Sequence, residues 1–307
     1  MIFETQKQTV GVDVGNGTIC TVNHEFVAGI QKVLDSAVAQ RKATIDGITY
    51  VLGEKTWNYM GDRTENDDCK NITHYAVVNE LIARGLPAGR YEINLGVGLP
   101  FQHWSGLKEK LKTYYHDGKI HTVKVADKVY EISYAQVAVM PQGYSALVDQ
   151  LGSLKGRTVV LADIGDGTLD VVLYEDSVAK EEGSFTEVLG VKECFKIAKN
   201  KYKNLSQHEL SRNVFEQYIR GKNEVSKELC SCILKAEEEY CRKILYCLKE
   251  GGYEEDAMSL IIMGGGANIV KAYGGPKFEK AEYILDSKAN AKGYEVFMRK
   301  YQEKIGG

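Results

Sequence analysis

The sequence predicts an α/β fold built from two related domains, and three observations support this prediction. The chain has 307 residues, which is about twice the usual length of a single domain. The stretch DVGNGTI, which begins at Asp13, returns as DIGDGTL at Asp163, so the two copies are 150 positions apart. Short apolar runs typical of strands alternate with longer amphipathic runs typical of helices. The repeat therefore predicts one related unit in each half of the chain.

The composition is that of an ordinary soluble globular protein, with 44% hydrophobic and 26% charged residues. No apolar run approaches the about 18 to 20 residues that span a bilayer, and the start MIFETQKQTVG lacks the pattern of a signal peptide. The seven cysteines include no CxxC pair, so neither a disulfide framework nor a zinc site is indicated. We therefore expect a cytoplasmic protein without a membrane partner.

The net charge of −3 bears on possible partners. Direct binding to nucleic acid needs a basic surface that displaces counterions from the phosphates. We therefore expect no direct contact with nucleic acid, and any link to DNA would pass through another protein.

The first half of the chain is predicted to contain several strands and two helices. Residues 9–14 form an apolar strand that turns through Gly15, Asn16 and Gly17 into a strand at 18–23, a strong hairpin pattern. Further strands are expected around 47–53, at 90–100, on both sides of 126–128 and up to Met140, and helices around 74–84 and 104–115. A helix is also expected to begin near Gly143.

The second half is predicted to be mainly helical after its opening hairpin. A Gly/Lys/Ser connector at 151–158 leads into this hairpin at 159–172. Residues 224–250 predict a packed helix, because the following side chains share one face at spacings of three and four: Leu229, Ile233, Ala236, Tyr240, Ile244 and Leu248. A strand at 258–263 then enters a glycine turn, and a helix is expected from Ala267.

The repeated turn has the chemistry of a phosphate-binding loop. Glycines let backbone N–H groups approach an anion, and the hydroxyl of Thr18 or Thr168 adds a donor. A carboxylate beside such a loop repels phosphate unless a hydrated Mg²⁺ lies between them. We therefore expect Asp13 and Asp163 to face one magnesium ion, and the duplicated turn to hold one polyphosphate from both sides of a cleft.

The glycine turn after the third apolar strand predicts a further part of the same site. Gly264, Gly265 and Gly266 offer bare backbone on which a flat base or ribose can lie, and a helix N-terminus follows. A single Asp-x-Gly-x-Gly stretch is usually only a hairpin turn. Two copies at domain spacing, with a third glycine-rich turn, favour a ligand site.

These three turns, in this order, resemble those of the actin, sugar-kinase and heat-shock-chaperone ATPase superfamily, and most closely the ParM-like bacterial actins of plasmids. PQGYSAL at 141–147 resembles the connecting segment of that family, and KANAKGYEVFMRKY resembles its terminal helix. The resemblance implies the actin-like ATPase fold, in which two related RNase H-like domains enclose a nucleotide cleft. It implies domains at 1–157 and 158–287, with a C-terminal helix of about 288–307 packed back on the first.

The resemblance also implies roles for individual residues, with ATP and Mg²⁺ as cofactors. Asp13 and Asp163 would be the metal-facing acids, and the two phosphate loops would consist of Gly15, Asn16, Gly17 and Thr18, and of Gly165, Asp166, Gly167 and Thr168. Gly264, Gly265 and Gly266 would line the adenosine. Gln142 would position the attacking water, with Gln136 as the alternative and Asp170 as a further participant. Because an amide is not a strong base, hydrolysis should be slow.

Two departures from the family pattern concern the first loop and the connecting segment. Actin and ParM carry a lysine seven residues after the first aspartate, whereas this chain has Cys20 there. One positive charge is thereby lost beside the phosphates. The family pattern also has a glutamate ahead of its proline, whereas here Gln142 follows Pro141.

The resemblance implies an ATPase that polymerises into dynamic filaments and drives plasmid DNA segregation. Its partners would be further copies of itself, joined head to tail, and a DNA-binding adaptor that links the filament to the plasmid. Two alternatives stay open. The superfamily also contains kinases that phosphorylate small metabolites, and bacterial actins that determine cell shape or position organelles.

Overall fold

The computed structural model describes residues 5–33, 41–53, 62–148 and 150–305. The chain divides into two compact units: unit 1 is Met1–Gly152 with Ser287–Gly307, and unit 2 is Ser153–Asp286. Each unit has its own sheet with helices packed against it. The predicted α/β class with two domains is therefore confirmed.

Unit 1 contains a nine-stranded sheet in the described residues, in the order β3-β2-β1-β7-β9-β8-β5-β6-β4. Its strands are β1 (Gln6–Val14), β2 (Thr18–Cys20), β3 (Glu25–Val27), β4 (Ile30–Lys32), β5 (Lys42–Ile45), β6 (Ile48–Leu52), β7 (Arg90–Leu99), β8 (His121–Val125) and β9 (Lys128–Pro141). The central β7 pairs in parallel with both β1 and β9. Its run from Ile93 to Leu99 is buried, which is typical of a parallel strand covered on both faces. Two helices from the first part of the chain pack against this sheet, α1 (Asp67–Ala83) and α2 (Phe101–Tyr115).

The structure differs from the sequence prediction around the end of β9. The strand expected after 126–128 and the strand expected up to Met140 form one strand, β9, which keeps its pairing to β7 by a bulge between Tyr134 and Gln136. The helix expected near Gly143 is wrong, because Gly143 has a φ of 76°, outside the helical range. Two short 3-10 turns follow it in the described residues, Ser145–Leu147 and Leu151–Leu154.

Unit 2 contains a five-stranded sheet in the described residues, in the order β12-β11-β10-β13-β14. The strands are β10 (Thr158–Ile164), β11 (Leu169–Glu175), β12 (Val178–Glu187), β13 (Ser259–Met263) and β14 (Glu282–Ile284), and the helices are α3 (Val191–Ser206), α4 (Arg212–Ile219), α5 (Lys227–Glu250) and α6 (Ala267–Tyr273). The predicted apolar face of α5 is confirmed, since all six of its side chains are buried. Ser226 caps α5 by accepting a hydrogen bond from the backbone N of Leu229 at 3.2 Å.

The last helix, α7 (Ala289–Ile305), packs on β1 and β7 of unit 1. Glycines allow this close approach. A Cβ added at Gly11 would lie 2.0 Å from the carbonyl oxygen of Ala291, and one at Gly96 would lie 2.6 Å from that of Tyr294. The packing brings the start of α7 to the loop that follows β9. None of the helices in the described residues combines the length and the apolar character needed to cross a bilayer.

Candidate functional site

The first turn joins the end of β1 to the start of β2 within unit 1. Asp13 lies opposite Cys20 in the antiparallel ladder, and Val14 lies opposite Ile19. The backbone N of Gly15 donates to the carbonyl oxygen of Thr18 at 3.1 Å. A Cβ added at Gly15 would lie 2.5 Å from that oxygen, so the turn requires glycine there.

The second turn joins β10 to β11 within unit 2 and repeats the same register. Asp163 lies opposite Asp170, and Ile164 lies opposite Leu169. The backbone N of Gly165 donates to the carbonyl oxygen of Thr168 at 2.8 Å. The sequence repeat thus corresponds to a repeat of backbone pairing around the two turns.

Asp13 is held by residues from three separate parts of unit 1. Gln142 Nε2 donates to Asp13 Oδ1 at 3.0 Å. Burial raises the pKa of Asp13, and three contacts oppose this effect: the hydrogen bond from Gln142, the charge of Arg63 and a hydrogen bond from Asn290. Asn290 Oδ1 also accepts from the backbone N of Gly143 at 3.0 Å, so the start of α7 holds the loop that carries Gln142.

The alternative glutamine, Gln136, lies elsewhere on β9. It pairs with Asn94 in the β7–β9 ladder, and six residues of extended strand separate it from Gln142 by about 20 Å. Its Oε1 is buried, and no hydrogen bond to it is found in the described part of the chain. The structure therefore brings Gln142, and not Gln136, to Asp13.

Asp170 is engaged by two hydroxyl groups in unit 2. Thr168 Oγ1 donates to Asp170 Oδ2 at 3.0 Å, and Thr186 Oγ1 donates to Oδ1 at 2.6 Å. The carboxylate is 5% exposed, so these bonds fix its orientation. Because the hydroxyl hydrogen of Thr168 points to Asp170, its oxygen presents lone pairs to other ligands. This differs from the donor role that the sequence predicted for Thr168.

Asp166, in the middle of the second turn, forms two ion pairs. Its Oδ1 lies 2.5 Å from Arg212 Nη2, and its Oδ2 lies 3.2 Å from Lys192 Nζ. Arg212 is held in turn by Glu216 at 2.6 Å, and its guanidinium lies 5.3 Å from the ring centroid of Phe195. Two cations therefore neutralise a carboxylate that would otherwise repel an anion at this turn.

The N-terminus of α3 supports the second turn through the backbone. The N–H groups of Gly190, Val191 and Lys192 donate to the carbonyl oxygens of Gly167, Gly165 and Asp166 at 3.2, 3.0 and 2.9 Å. A Cβ added at Gly190 would lie 2.5 Å from the carbonyl oxygen of Asp166. Glycine at 190 is therefore needed for the helix to approach the turn.

The third glycine turn packs against the second turn inside unit 2. Gly264 has a φ of 84°, and its added Cβ would lie 2.4 Å from Asp163 Oδ1. Gly266 N donates to the carbonyl oxygen of Ile164 at 2.9 Å. By contrast, a Cβ added at Gly265 would meet no atom within 4 Å. The backbone at Gly265 is thus open, as a surface for a base or ribose requires.

Sequence reasoning missed several residues around the two turns. Asn290 belongs to the ANAKG stretch, whose family likeness implies no role for the asparagine. Arg63 belongs to no recognisable motif. Lys192 and Arg212 are two of many basic residues on helices, so nothing in the sequence distinguishes them. Only the folded chain brings these side chains to the turns.

The predicted metal-facing acids fit magnesium through their chemistry. In the residues that the structure describes, no group of three or more His, Cys, Asp or Glu side chains could hold a metal ion. Mg²⁺ commonly binds one or two carboxylates together with waters and substrate phosphates. Asp13 in unit 1 and Asp163 in unit 2 each lie at the end of a strand beside a glycine turn, and a carboxylate is a ligand type that suits Mg²⁺.

Comparisons with known proteins match the whole architecture. Residues 11–144 match the family model described as the N-terminal domain of actin-like proteins. The structure of a non-polymerisable quadruple mutant of pCBH ParM has 20% identity and a TM-score of 0.77, and the match covers 96% of this chain and 100% of that one. This chain has a ParM-like, actin-like fold.

Further solved structures share this actin-like fold. The archaeal actin homologue Ta0583 in complex with ADP has 19% identity and a TM-score of 0.76, and the match covers 95% of this chain and 99% of that one. The Alp12 filament structure has 20% identity and a TM-score of 0.69, over 97% and 100% of the two chains. No curated protein sequence matches this actin-like chain. The suspected ParM-like resemblance is confirmed at the level of the fold.

Proposed function

We propose that the chain is an actin-like ATPase that binds Mg-ATP through its two hairpin turns, polymerises into dynamic filaments and drives plasmid DNA segregation. The observation that carries this proposal is the repeated turn, with an aspartate at the same ladder position in each unit. The ADP complex of the archaeal homologue and the filament of Alp12 add support.

Each turn would hold the phosphates by its backbone and the metal by its aspartate. In unit 1 the binding groups would be Asp13 and residues 15–18, and in unit 2 they would be Asp163 and residues 165–168. The open backbone at Gly265, between Gly264 and Gly266, would lie against the adenosine. Bound Mg²⁺ would supply charge neutralisation between the carboxylates and the phosphates.

Gln142 would orient the attacking water. Its Nε2 donates to Asp13 Oδ1, which leaves Oε1 free to accept a hydrogen bond from a water molecule. Only 8% of Gln142 is exposed, so its amide has little freedom to reorient. Because an amide orients water without deprotonating it, hydrolysis should be slow and suited to timing filament turnover.

Assembly would take place in the cytoplasm and involve copies of this chain in head-to-tail contact, which do not close into a ring. A DNA-binding adaptor would connect the filament to the plasmid, in keeping with the net charge of −3. Asp170 is occupied by two hydroxyl donors. It is therefore a poor general base for a metabolite kinase.

Sedimentation combined with phosphate release tests this proposal. With Mg-ATP at tens of micromolar protein, an order of magnitude suited to weak self-association, we expect pelleted filaments and slow release of phosphate. Protein that stays in the supernatant under these conditions would refute the filament proposal. A phosphorylated metabolite in the same reaction would establish the kinase alternative. Filaments without any effect on plasmid inheritance would establish a role in cell shape or organelle position.

A further inference from the structure

Two residues near the start of α7 contact the loop that follows β9. Asn290 is 5% exposed, and its Oδ1 accepts a hydrogen bond from the backbone N of Gly143 at 3.0 Å. A Cβ added at Gly293 would overlap with the carbonyl oxygen of Ser145, so α7 lies directly against the loop backbone. Asn290 and Gly143 are 147 positions apart in the sequence. Only the folding of unit 1 therefore creates this contact.

The backbone is held on both sides of the Gln142 side chain. The backbone N of Gln142 donates to the carbonyl oxygen of Leu99 at 2.7 Å, and the N–H of the next residue, Gly143, is the one that Asn290 accepts. Gly143 has a φ of 76°, in the left-handed region that favours glycine. Loss of the Asn290 contact would therefore release the chain at the residue next to Gln142.

The same hydrogen bonds determine which way the two amide side chains point. A backbone N–H can only donate, so the oxygen of Asn290 faces Gly143 and its Nδ2 remains available as a donor. A hydrogen bond from the Asn290 side chain reaches Asp13, which also accepts from Gln142 Nε2 at 3.0 Å. An ionised carboxylate only accepts hydrogen bonds. Because Nε2 of Gln142 faces Asp13, its Oε1 faces away from that carboxylate.

We propose that Asn290 is the positioning residue of Gln142 and controls the rate of hydrolysis through it. This inference rests on the proposed function, in which Gln142 orients the attacking water. An amide orients water well only when its own oxygen is held in place, and a displacement of about 1 Å can cost roughly a hundredfold in rate. Loss of Asn290 should therefore slow the hydrolytic step and leave nucleotide binding close to normal.

A purely structural role for Asn290 leads to a different expectation. A buried backbone N–H without a partner destabilises a protein, so the Gly143 contact could simply stabilise unit 1. Removal of Asn290 would then lower activity by the same factor whether or not Gln142 is present. The dependence on Gln142 therefore distinguishes the two roles.

Phosphate release by the full chain with Mg-ATP tests the inference in wild type, Asn290→Leu, Gln142→Ala and the double variant. Leucine is close to asparagine in size but forms no side-chain hydrogen bonds. The rate is divided by the amount of pelleted protein, so that a change in assembly is not counted as a change in hydrolysis. We expect Asn290→Leu to lower this rate roughly ten- to a hundredfold. Its affinity for Mg²⁺ with a non-hydrolysable ATP analogue should stay close to that of wild type.

The double variant gives the sharpest comparison. Once Gln142 is replaced by alanine, there is no amide left to position, so Asn290→Leu should cause no further loss of phosphate release. A further loss by the same factor as in the Gln142-containing chain would overturn the inference. A loss of affinity for the ATP analogue as large as the loss of rate would also overturn it, because it would indicate damage to the binding site.

Gln302→Leu is the matched control on α7. Gln302 is an amide near the other end of this helix, and its Oε1 accepts a hydrogen bond from Thr9 Oγ1 at 3.0 Å. Its replacement should leave phosphate release unchanged. If Gln302→Leu slows release as much as Asn290→Leu does, the effect belongs to the docking of α7 in general and the inference is wrong.

A second substitution at the same position keeps the test valid if Asn290→Leu does not fold. Serine is common at helix starts, and its side chain is too short to replace both contacts of Asn290. Asn290→Ser should therefore give the same pattern, alone and together with Gln142→Ala. If wild type releases phosphate and the variant at 290 does so at the same rate, this inference alone is wrong. If wild type neither binds nucleotide nor releases phosphate, the proposed function fails and this inference fails with it.

Discussion

The two hairpin turns share a backbone geometry and differ in what supports them. Both place an aspartate two positions before a glycine whose N–H closes the turn onto a threonine carbonyl. At the first turn, Asp13 accepts a hydrogen bond from the neutral amide of Gln142. Charges and a helix N-terminus hold the second, through the ion pairs of Asp166 and the backbone of α3.

This difference shows that neighbouring residues determine the backbone pairing of a turn, whereas residues distant along the chain determine its electrostatics. The short pattern of aspartate, glycines and threonine determines the turn locally. The charges around the turn come from distant segments, and they are not the same in the two units. Cys20 and Asp170 occupy matching ladder positions, yet one is a neutral thiol and the other a hydrogen-bonded carboxylate.

The largest effect is expected from removing either ladder aspartate. Asp13→Asn and Asp163→Asn keep the side-chain shape but remove the charge that we propose faces the metal. We expect phosphate release to fall about a hundredfold or more in each variant, with melting temperatures close to wild type. Phosphate release and thermal melting by circular dichroism measure the two quantities. Normal turnover in one variant would show that only the other turn participates.

A smaller effect should distinguish the two turn glycines. A Cβ at Gly15 would lie 2.5 Å from a backbone oxygen, whereas one at Gly165 would lie 3.4 Å from its equivalent. Gly15→Ala should therefore destabilise the chain by about 1 to 3 kcal/mol, and Gly165→Ala should have a smaller effect. Denaturant unfolding of both variants gives the comparison. Equal destabilisation would mean that the two turns are under the same steric constraint.

The ion pairs of the second turn predict a loss of nucleotide affinity. Without Arg212, the carboxylate of Asp166 faces the phosphates with less compensation, so Arg212→Met should weaken ATP binding roughly tenfold. The double variant Asp166→Asn with Arg212→Met should recover part of this loss, because it removes the repulsive charge as well. Lys199→Met is the control on α3, where Lys199 pairs with exposed Glu209 at 3.4 Å. If the double variant binds ATP no more tightly than Arg212→Met does, the proposed charge compensation of Asp166 by Arg212 is wrong.

Unit 2 also predicts a dependence of stability on pH. Burial raises the pKa of Glu237 on α5 from 4.5 to about 8, and Glu237 is 2% exposed. The folded chain holds this proton at pH values where the unfolded chain has lost it. Stability should therefore fall as pH rises from about 4.5 to about 8. Glu237→Gln should flatten this fall by the amount due to one carboxyl group, and exposed Glu238→Gln should not. Thermal melts across this range measure the slopes, and identical slopes in all three proteins would contradict the prediction.

Local patterns in the sequence were sufficient for several parts of the site. The spacing of residues along the chain is enough to predict the two turns and the apolar face of α5, because turn and helix geometry depend on neighbours along the chain. The glycine turn after β13 also follows from the sequence, but its three glycines differ in a way that the sequence does not show: Gly264 and Gly266 pack closely against the second turn, and Gly265 is open. The preference for Gln142 over Gln136 depends on the family resemblance instead; Gln142 contacts Asp13, and its role towards water stays a prediction.

Other parts depend on packing that local patterns do not encode. Asn290 reaches the loop after β9 only because Gly11 and Gly96 let α7 lie close to the sheet. Arg63 precedes α1 without any periodic signal, and the effect of its charge on the pKa of Asp13 depends on the folded chain. The prediction of a helix near Gly143 is wrong for a related reason. The apolar pattern after Pro141 does not show that Gly143 has a positive φ.

Hydrogen–deuterium exchange with and without Mg-ATP tests most directly whether both turns act on one nucleotide. We predict that saturating Mg-ATP slows backbone exchange in residues 13–18 and in residues 163–168 with the same dependence on concentration, and that residues 264–266 follow. Protection confined to one turn, or protection of the two turns at different nucleotide concentrations, would contradict the account.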